Sequence, residues 1–252
     1  MTPKWLHWPT QVSGGTFLPT AIGGLVGWFD ADDSTTITAT TTISNWADKS
    51  GNQGSSASQT ADYSQSSTSE QPTLTSNGLN NKDVVTFQED DYFDGRFPSG
   101  MTNASVFVVL DTDDAAFIVF SSGSSTYSAV AEDGSSSTNL SSRFGSPTHY
   151  VTGNTVSWSN RDDVHTSLSG APCIYEAVNC NLGTFANTGG TKTHKLGGYG
   201  GSFLYSYDMA EVLVYNSALV QADREKVEGY LAHKWGLTTD LPSSHPYKSS
   251  AP

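Results

Sequence analysis

The chain has 252 residues, a formal net charge of −13 and a sequence pI of about 4.6, which argues against nucleic acid as a partner, because a phosphate backbone demands a cationic footprint. No stretch approaches the roughly 20 apolar residues that a membrane-spanning helix requires, so no membrane is expected as a partner. Ser, Thr, Gly and Asn fill the connections, and the apolar runs are short and rich in Val, Phe, Tyr and Trp, the composition of an all-β chain whose length suits one large sandwich.

Residues 1 to 23 open as MTPKWLHWPTQ and carry apolar residues broken by Pro3, Pro9 and Pro19. This pattern predicts an extended arm lying in a hydrophobic groove, anchored by Trp5, Trp8 and Phe17 on its own sandwich or on a neighbouring subunit. The opening has neither an apolar core nor a small-residue cleavage pattern, so it is not read as a signal peptide. Further along, VFVVL (106–110) is apolar at every position, which predicts a strand covered on both faces. Strands are predicted at 104–110, 116–120, 127–131, 155–158 and 173–178. Cys173 and Cys180 are the only cysteines; a bridge between them is conceivable, but without an export signal free thiols are expected. Neither belongs to a CxxC pair, and the six histidines show no zinc spacing with them.

Near the C-terminus, Val212 and Val214 alternate with Glu211, Leu213 and Tyr215, the period of a strand whose two sides meet different surroundings. From about Gln221 the period becomes helical for about 15 residues. Val227, Tyr230, Leu231 and Trp235 form the apolar stripe, while Asp223, Arg224, Glu225, Lys226 and Glu228 fall on the wetter side. Gly236 supplies a left-handed stop, and Pro242 and Pro246 keep the helix from resuming.

The run from 211 to 247 resembles the end of concanavalin A-like jelly-roll domains of the laminin-G-like group, in the variety found in phage virion and bacterial surface proteins. GLVGWFDADDSTTIT (24–38), ISNWADKSGN (43–52), QPTL (71–74) and NKDVVTFQEDDYF (81–93) carry the same likeness in the same order. The resemblance covers 24–247 and implies an antiparallel β-sandwich with one C-terminal α-helix, preceded by the arm and followed by a tail at 248–252. One departure is Val220, where such proteins often place a small hydroxyl residue as helix cap. The first turn is therefore expected to fray or to borrow a cap from Asn216 or Ser217.

The resemblance implies a non-enzymatic virion component assembled in the host cytoplasm, a capsid decoration (cement) or fibre protein contacting other virion proteins and copies of itself as a homo-oligomer. An alternative is a carbohydrate-binding adhesin or receptor-binding domain of a tail or cell-surface protein. A second alternative is a polysaccharide hydrolase, because the same fold houses glucanases. Those enzymes place paired carboxylates at alternating strand positions, and no such pattern occurs here. Asp90 and Asp91 are adjacent and would point to opposite faces of a strand, and no GxSxG elbow is present, so no catalytic residue is assigned.

Related jelly rolls often hold calcium at a rim, and Asp30, Asp32, Asp33 and Asp48 lie in two acidic turns that could supply oxygen ligands. The same carboxylates serve equally as Asx-turn and capping residues. No cofactor is required on either reading. A glycan site is the other inherited property: Tyr199, Phe203 and Tyr205 lie in and just beyond the glycine-rich KLGGYGGSF, where glycines could admit a ligand or simply shape a hairpin.

Overall fold

The computed structural model describes residues 17–51, 62–88, 90–98, 100–112, 118–122, 128–130, 140, 144–183, 194–197 and 206–252. The strands in chain order are β1 (Leu25–Asp30), β2 (Ile37–Ala39), β3 (Ile43–Trp46), β4 (Tyr63–Ser64), β5 (Thr73–Leu79), β6 (Lys82–Phe87), β7 (Tyr92–Gly95), β8 (Ala104–Thr112), β9 (Ile118–Ser122), β10 (Ser128–Val130), β11 (Thr148–Val151), β12 (Asn154–Val156), β13 (Cys173–Cys180), β14 (His194–Gly197) and β15 (Tyr207–Tyr215). Helix α1 (Arg161–Leu168) precedes β13, and α2 (Gln221–Trp235) follows β15.

Two antiparallel sheets form a sandwich. One runs β12-β11-β13-β8-β15-β6-β5, with β1 also on β15; the other runs β10-β9-β14-β7-β4-β3-β2. Strand β15 is the organising element. One flank pairs with β8 along its length, while the other is shared, with 207–209 on β6 and 211–215 on β1. The register shift between Met209 and Glu211 marks the handover, and there the Ala31 N–H donates to the Ala210 carbonyl at 3.0 Å. The irregularity thus lets one strand bridge two partners without losing hydrogen bonds.

Alternation along these strands builds two cores. Val106, Val108, Leu110, Val212 and Val214 point between the sheets, where they meet Phe29, Trp46, Phe93 and Tyr175. Phe107, Val109, Leu213 and Tyr215 point outward and are covered by Val227, Leu231 and Trp235 of α2. This is why VFVVL is apolar throughout: β8 has a core on each side.

Helix α2 contains 15 residues and ends at Gly236 with φ 79°, as the sequence predicts. Asn80 strengthens that end by donating its Nδ2 to the Lys234 carbonyl at 3.0 Å. At the other end Val220 offers no side-chain cap, and the Asp223 and Arg224 N–H groups close the first turn on its carbonyl. The assignment of Arg224 and Glu228 to a wet face is corrected by the structure, because both are buried. Segment 241–247 folds back across the helix and covers that side. It fits because residue 229 is glycine: a Cβ there would stand 2.5 Å from the Tyr247 Cβ.

The short helix α1 was not predicted, although its signal is present in Asn160-x-x-Asp163, which forms a reciprocal capping box. Cys173 and Cys180 are free and buried at opposite ends of β13, too far apart along an extended strand for a bridge. Burial pushes the Cys173 thiol up to about 12, which removes it from thiolate chemistry at neutral pH.

Candidate functional site

The most polar point under α2 is Glu211, fully buried on the outer face of β15. Its carboxylate collects donors from three directions. Trp28 Nε1 of β1 donates to Oε1 at 2.6 Å, and the Tyr230 hydroxyl donates to the same oxygen at 3.0 Å. Trp235 Nε1 donates to Oε2 at 2.7 Å, and Lys234 Nζ lies 2.8 Å from that oxygen. Lys234 also reaches Asp30 Oδ1 at 2.6 Å. Burial pushes the Glu211 carboxyl above its ordinary value, and the Lys234 charge pulls it back. The cluster joins residues of the GWFD, EVLVY and YLAHKW runs into one docking hub for the helix.

A second buried group lies toward the tail. Arg224 is ion-paired with Glu228, and its Nη1 also lies 3.5 Å from Glu176 Oε2 of β13. The Arg224 guanidinium sits 4.0 Å over the Tyr150 ring, and His245 Nε2 meets Glu228 Oε2 at 2.8 Å. Because Arg224 is engaged chiefly by Glu228, burial dominates at Glu176 and raises its carboxyl to about 8.

The four aspartates named for calcium divide among other partners. Asp30 and Asp33 share Lys49 Nζ at 2.9 and 2.6 Å, and Asp32 holds Lys82 Nζ at 2.6 Å. Its hydrogen bond to Lys49 lowers Asp33 to about 2. Asp48 accepts from the N–H groups of Trp28 (2.7 Å) and Ser50 (2.8 Å) and from the Ser50 hydroxyl (2.7 Å), an Asx-turn role that fixes the WADKSGN turn onto β1. Among the described residues, no three His, Cys, Asp or Glu side chains gather in a way that could hold a metal.

Of the arm anchors, Trp5 and Trp8 lie outside the described residues, as do the glycan candidates Tyr199, Phe203 and Tyr205. Phe17 is half-buried on its own sandwich, edge-on to Tyr230 with ring centroids 6.2 Å apart. It opens a groove of about 500 Å³ that also includes Leu18, Ala21, Lys226 and Tyr247. Leu18 is 48% exposed there.

The feature with no sequence forecast is a cavity of about 440 Å³ beside the β11–β12 hairpin. Its wall includes Phe144, His149, Val156 and Trp158, with Ser146 and Ser157 at the rim. His149 pairs with Val156 across the hairpin and with Ala177 of β13, which places it on the inner face. Its ring lies 4.6 Å from that of Trp158, and Trp158 stacks 5.8 Å from Tyr175 at 22°. His149 Nδ1 is 3.1 Å from the Tyr175 hydroxyl, and Trp158 Nε1 donates to Ser167 Oγ of α1 at 2.9 Å. Burial holds His149 down at about 4, so the imidazole is neutral at ordinary pH. Among the described residues, no Asp, Glu, Lys or Arg lines the cavity. Sequence reasoning found the 155–158 strand but missed its partner, because the turn is Thr152-Gly153, with φ 46° and 76°, rather than the familiar Asn-Gly.

No family model matches the chain, and no curated protein matches it. Among solved structures it is similar to Trypanosoma rangeli sialidase in complex with sialic acid, at 10% identity and a TM-score of 0.42. A second Trypanosoma rangeli sialidase chain, in complex with 2,3-difluorosialic acid, is 12% identical with a TM-score of 0.42. Each match covers 84% of this chain and 33% of the sialidase, so the chain spans a third of the length of those proteins. What stands is an all-β sandwich of two antiparallel sheets with a C-terminal helix.

Proposed function

We propose that this chain is a non-enzymatic structural module of a phage virion, a capsid decoration or fibre protein that works as a homo-oligomer against other virion proteins. The observation that carries the non-enzymatic part is the use of the buried carboxylates. Glu211, Asp30, Glu176 and Glu228 are all turned toward α2 and its tail, where they bind cations and indoles that hold the helix. Hydrolysis of a glycosidic bond needs two carboxyl groups facing a shared space, and among the described residues the cavity at the β11–β12 hairpin is lined by none. The groove opened by Phe17 supports an arm-mediated attachment, with partly exposed apolar surface where the arm meets the sandwich.

The test is proteomic and structural: purified particles from the source should contain the chain in stoichiometric amounts, and a variant lacking residues 1–16 should fold but drop out of the particle. Absence from purified particles would overturn the virion reading. Unfolding of the truncated chain would make the arm part of the core instead. A second reading, a carbohydrate-binding adhesin, is favoured by the aromatic cavity walled by Phe144, His149 and Trp158.

A further inference from the structure

We infer that the cavity beside the β11–β12 hairpin is a binding site for an uncharged pyranose ring at the end of a glycan, with Trp158 and His149 as its stacking wall. This deepens the adhesin reading and rests on it; it is independent of whether the chain resides on a virion.

Size, charge, surface chemistry and rigidity each point to this class of ligand. At about 440 Å³ the cavity falls in the lower part of the roughly 300–1,000 Å³ range of small-molecule sites, which suits a chain end better than a long polymer segment. Among the described residues its lining carries no permanently charged side chain, so an ionised ligand would lose hydration there without gaining a counterion from them. A neutral ligand escapes that cost. A pyranose has apolar C–H faces and an equatorial belt of hydroxyls. The wall answers the first with indole, imidazole and Phe144, and the rim answers the second with the hydroxyls of Ser146 and Ser157.

The wall is also fixed before any ligand arrives. The indole N–H of Trp158 is spent on Ser167 Oγ, which in turn donates to the Asp163 carbonyl of α1 at 2.8 Å. His149 Nδ1 is spent on Tyr175, whose ring belongs to the main core. With those polar edges turned into the protein, the two rings keep one arrangement and little ordering entropy remains to be lost on binding.

The probes are neutral methyl pyranosides of glucose, galactose, mannose and N-acetylglucosamine, with glucuronic acid and sialic acid as charged comparators, read by saturation-transfer NMR and titration on the full chain. At least one neutral pyranoside should bind at millimolar concentration through its ring C–H protons. Affinity should fall about tenfold or more in Trp158→Ala and be largely kept in Trp158→Phe. Since Trp158 also packs on the core, Ser157→Trp serves as a second variant: it changes an exposed rim position, fills the cavity and should abolish binding with the fold intact. Binding of a neutral pyranoside that survives both Trp158→Ala and Ser157→Trp would overturn this site while leaving an adhesin elsewhere on the chain. Tighter binding of a charged sugar, lost in Ser157→Trp, would overturn the neutral class. No binding by any probe would overturn the site and the adhesin reading together.

Discussion

Consecutive residues of β13 face two regions that use side-chain chemistry in opposite ways. Glu176 points outward into the layer beneath α2, where carboxylates are buried with Arg224 and His245 and the half-buried Lys234 reaches in to Glu211. Tyr175 points inward toward the β11–β12 cavity, where among the described residues rings and hydroxyls line an open space without acids or permanent cations. Buried charge among the described residues serves to attach one helix and one tail to a sheet, and a buried charge that is engaged in that way is unavailable to a ligand. The cavity is the region whose polar groups remain at an accessible rim.

The comparison predicts that damage to the helix layer costs stability, whereas damage to the cavity rim does not. The largest effect is expected from Trp235→Ala, which empties a fully buried indole site and removes a donor from Glu211. The loss should be about 3 to 5 kcal/mol in urea unfolding. A loss below about 1 kcal/mol would mean that α2 is an accessory rather than a wall of the core.

Gly229→Ala is expected to cost about 1 to 3 kcal/mol through overpacking, because the added methyl would meet Tyr247. Its distinguishing sign is local: hydrogen exchange should rise in segment 241–247 and leave β8 and β15 protected. Uniform loss of protection would show that the tail and the sandwich open as one unit.

The two regions also respond to pH with opposite sign. Glu176, raised to about 8 from 4.5, keeps a proton that the unfolded chain gives up, so its contribution is complete below pH 4.5 and lost as pH rises through about 8. His149, lowered to about 4 from 6.5, stays neutral while the unfolded chain takes up a proton, so its contribution is lost as pH falls from 6.5 toward 4. Between pH 4.5 and 6.5 the two slopes oppose each other, so melting temperatures should be nearly flat there and decline from 6.5 toward 8. Glu176→Gln should flatten the alkaline decline between pH 6.5 and 8 and uncover the His149 decline from 6.5 toward 4. An unchanged alkaline limb would assign it to another group.

Much of the helix layer was legible in the sequence. The 3.6-residue stripe of Val227, Leu231 and Trp235 and the unbroken apolar run of 106–110 both report burial directly, and the structure places them against one another. The buried polar half was not legible. Arg224 and Glu228 look like solvent-facing residues until segment 241–247 is known to cover them, and Glu211 looks like one more alternating position until three elements converge on it. Periodicity reports which way a side chain points and not what lies there. The cavity was hidden for a related reason: His149, Trp158 and Tyr175 come from three segments, and only the pairing of β11 with β12 and β13 unites them. The aspartates at 30, 32, 33 and 48 illustrate the converse, a dense acidic pattern in the sequence that the fold divides among Lys49, Lys82, Lys234 and a turn.

Glu211 and its neighbours should act as one energetic unit that fastens α2 to the sheet, and a double-mutant cycle between Glu211→Ala and Lys234→Ala measures that coupling. Each single change leaves a buried partner uncompensated, so the double variant should be less destabilised than the sum of the singles, with a coupling of about 1 to 2 kcal/mol in urea unfolding. Additivity within about 0.5 kcal/mol would contradict the hub and leave α2 held by apolar contact alone.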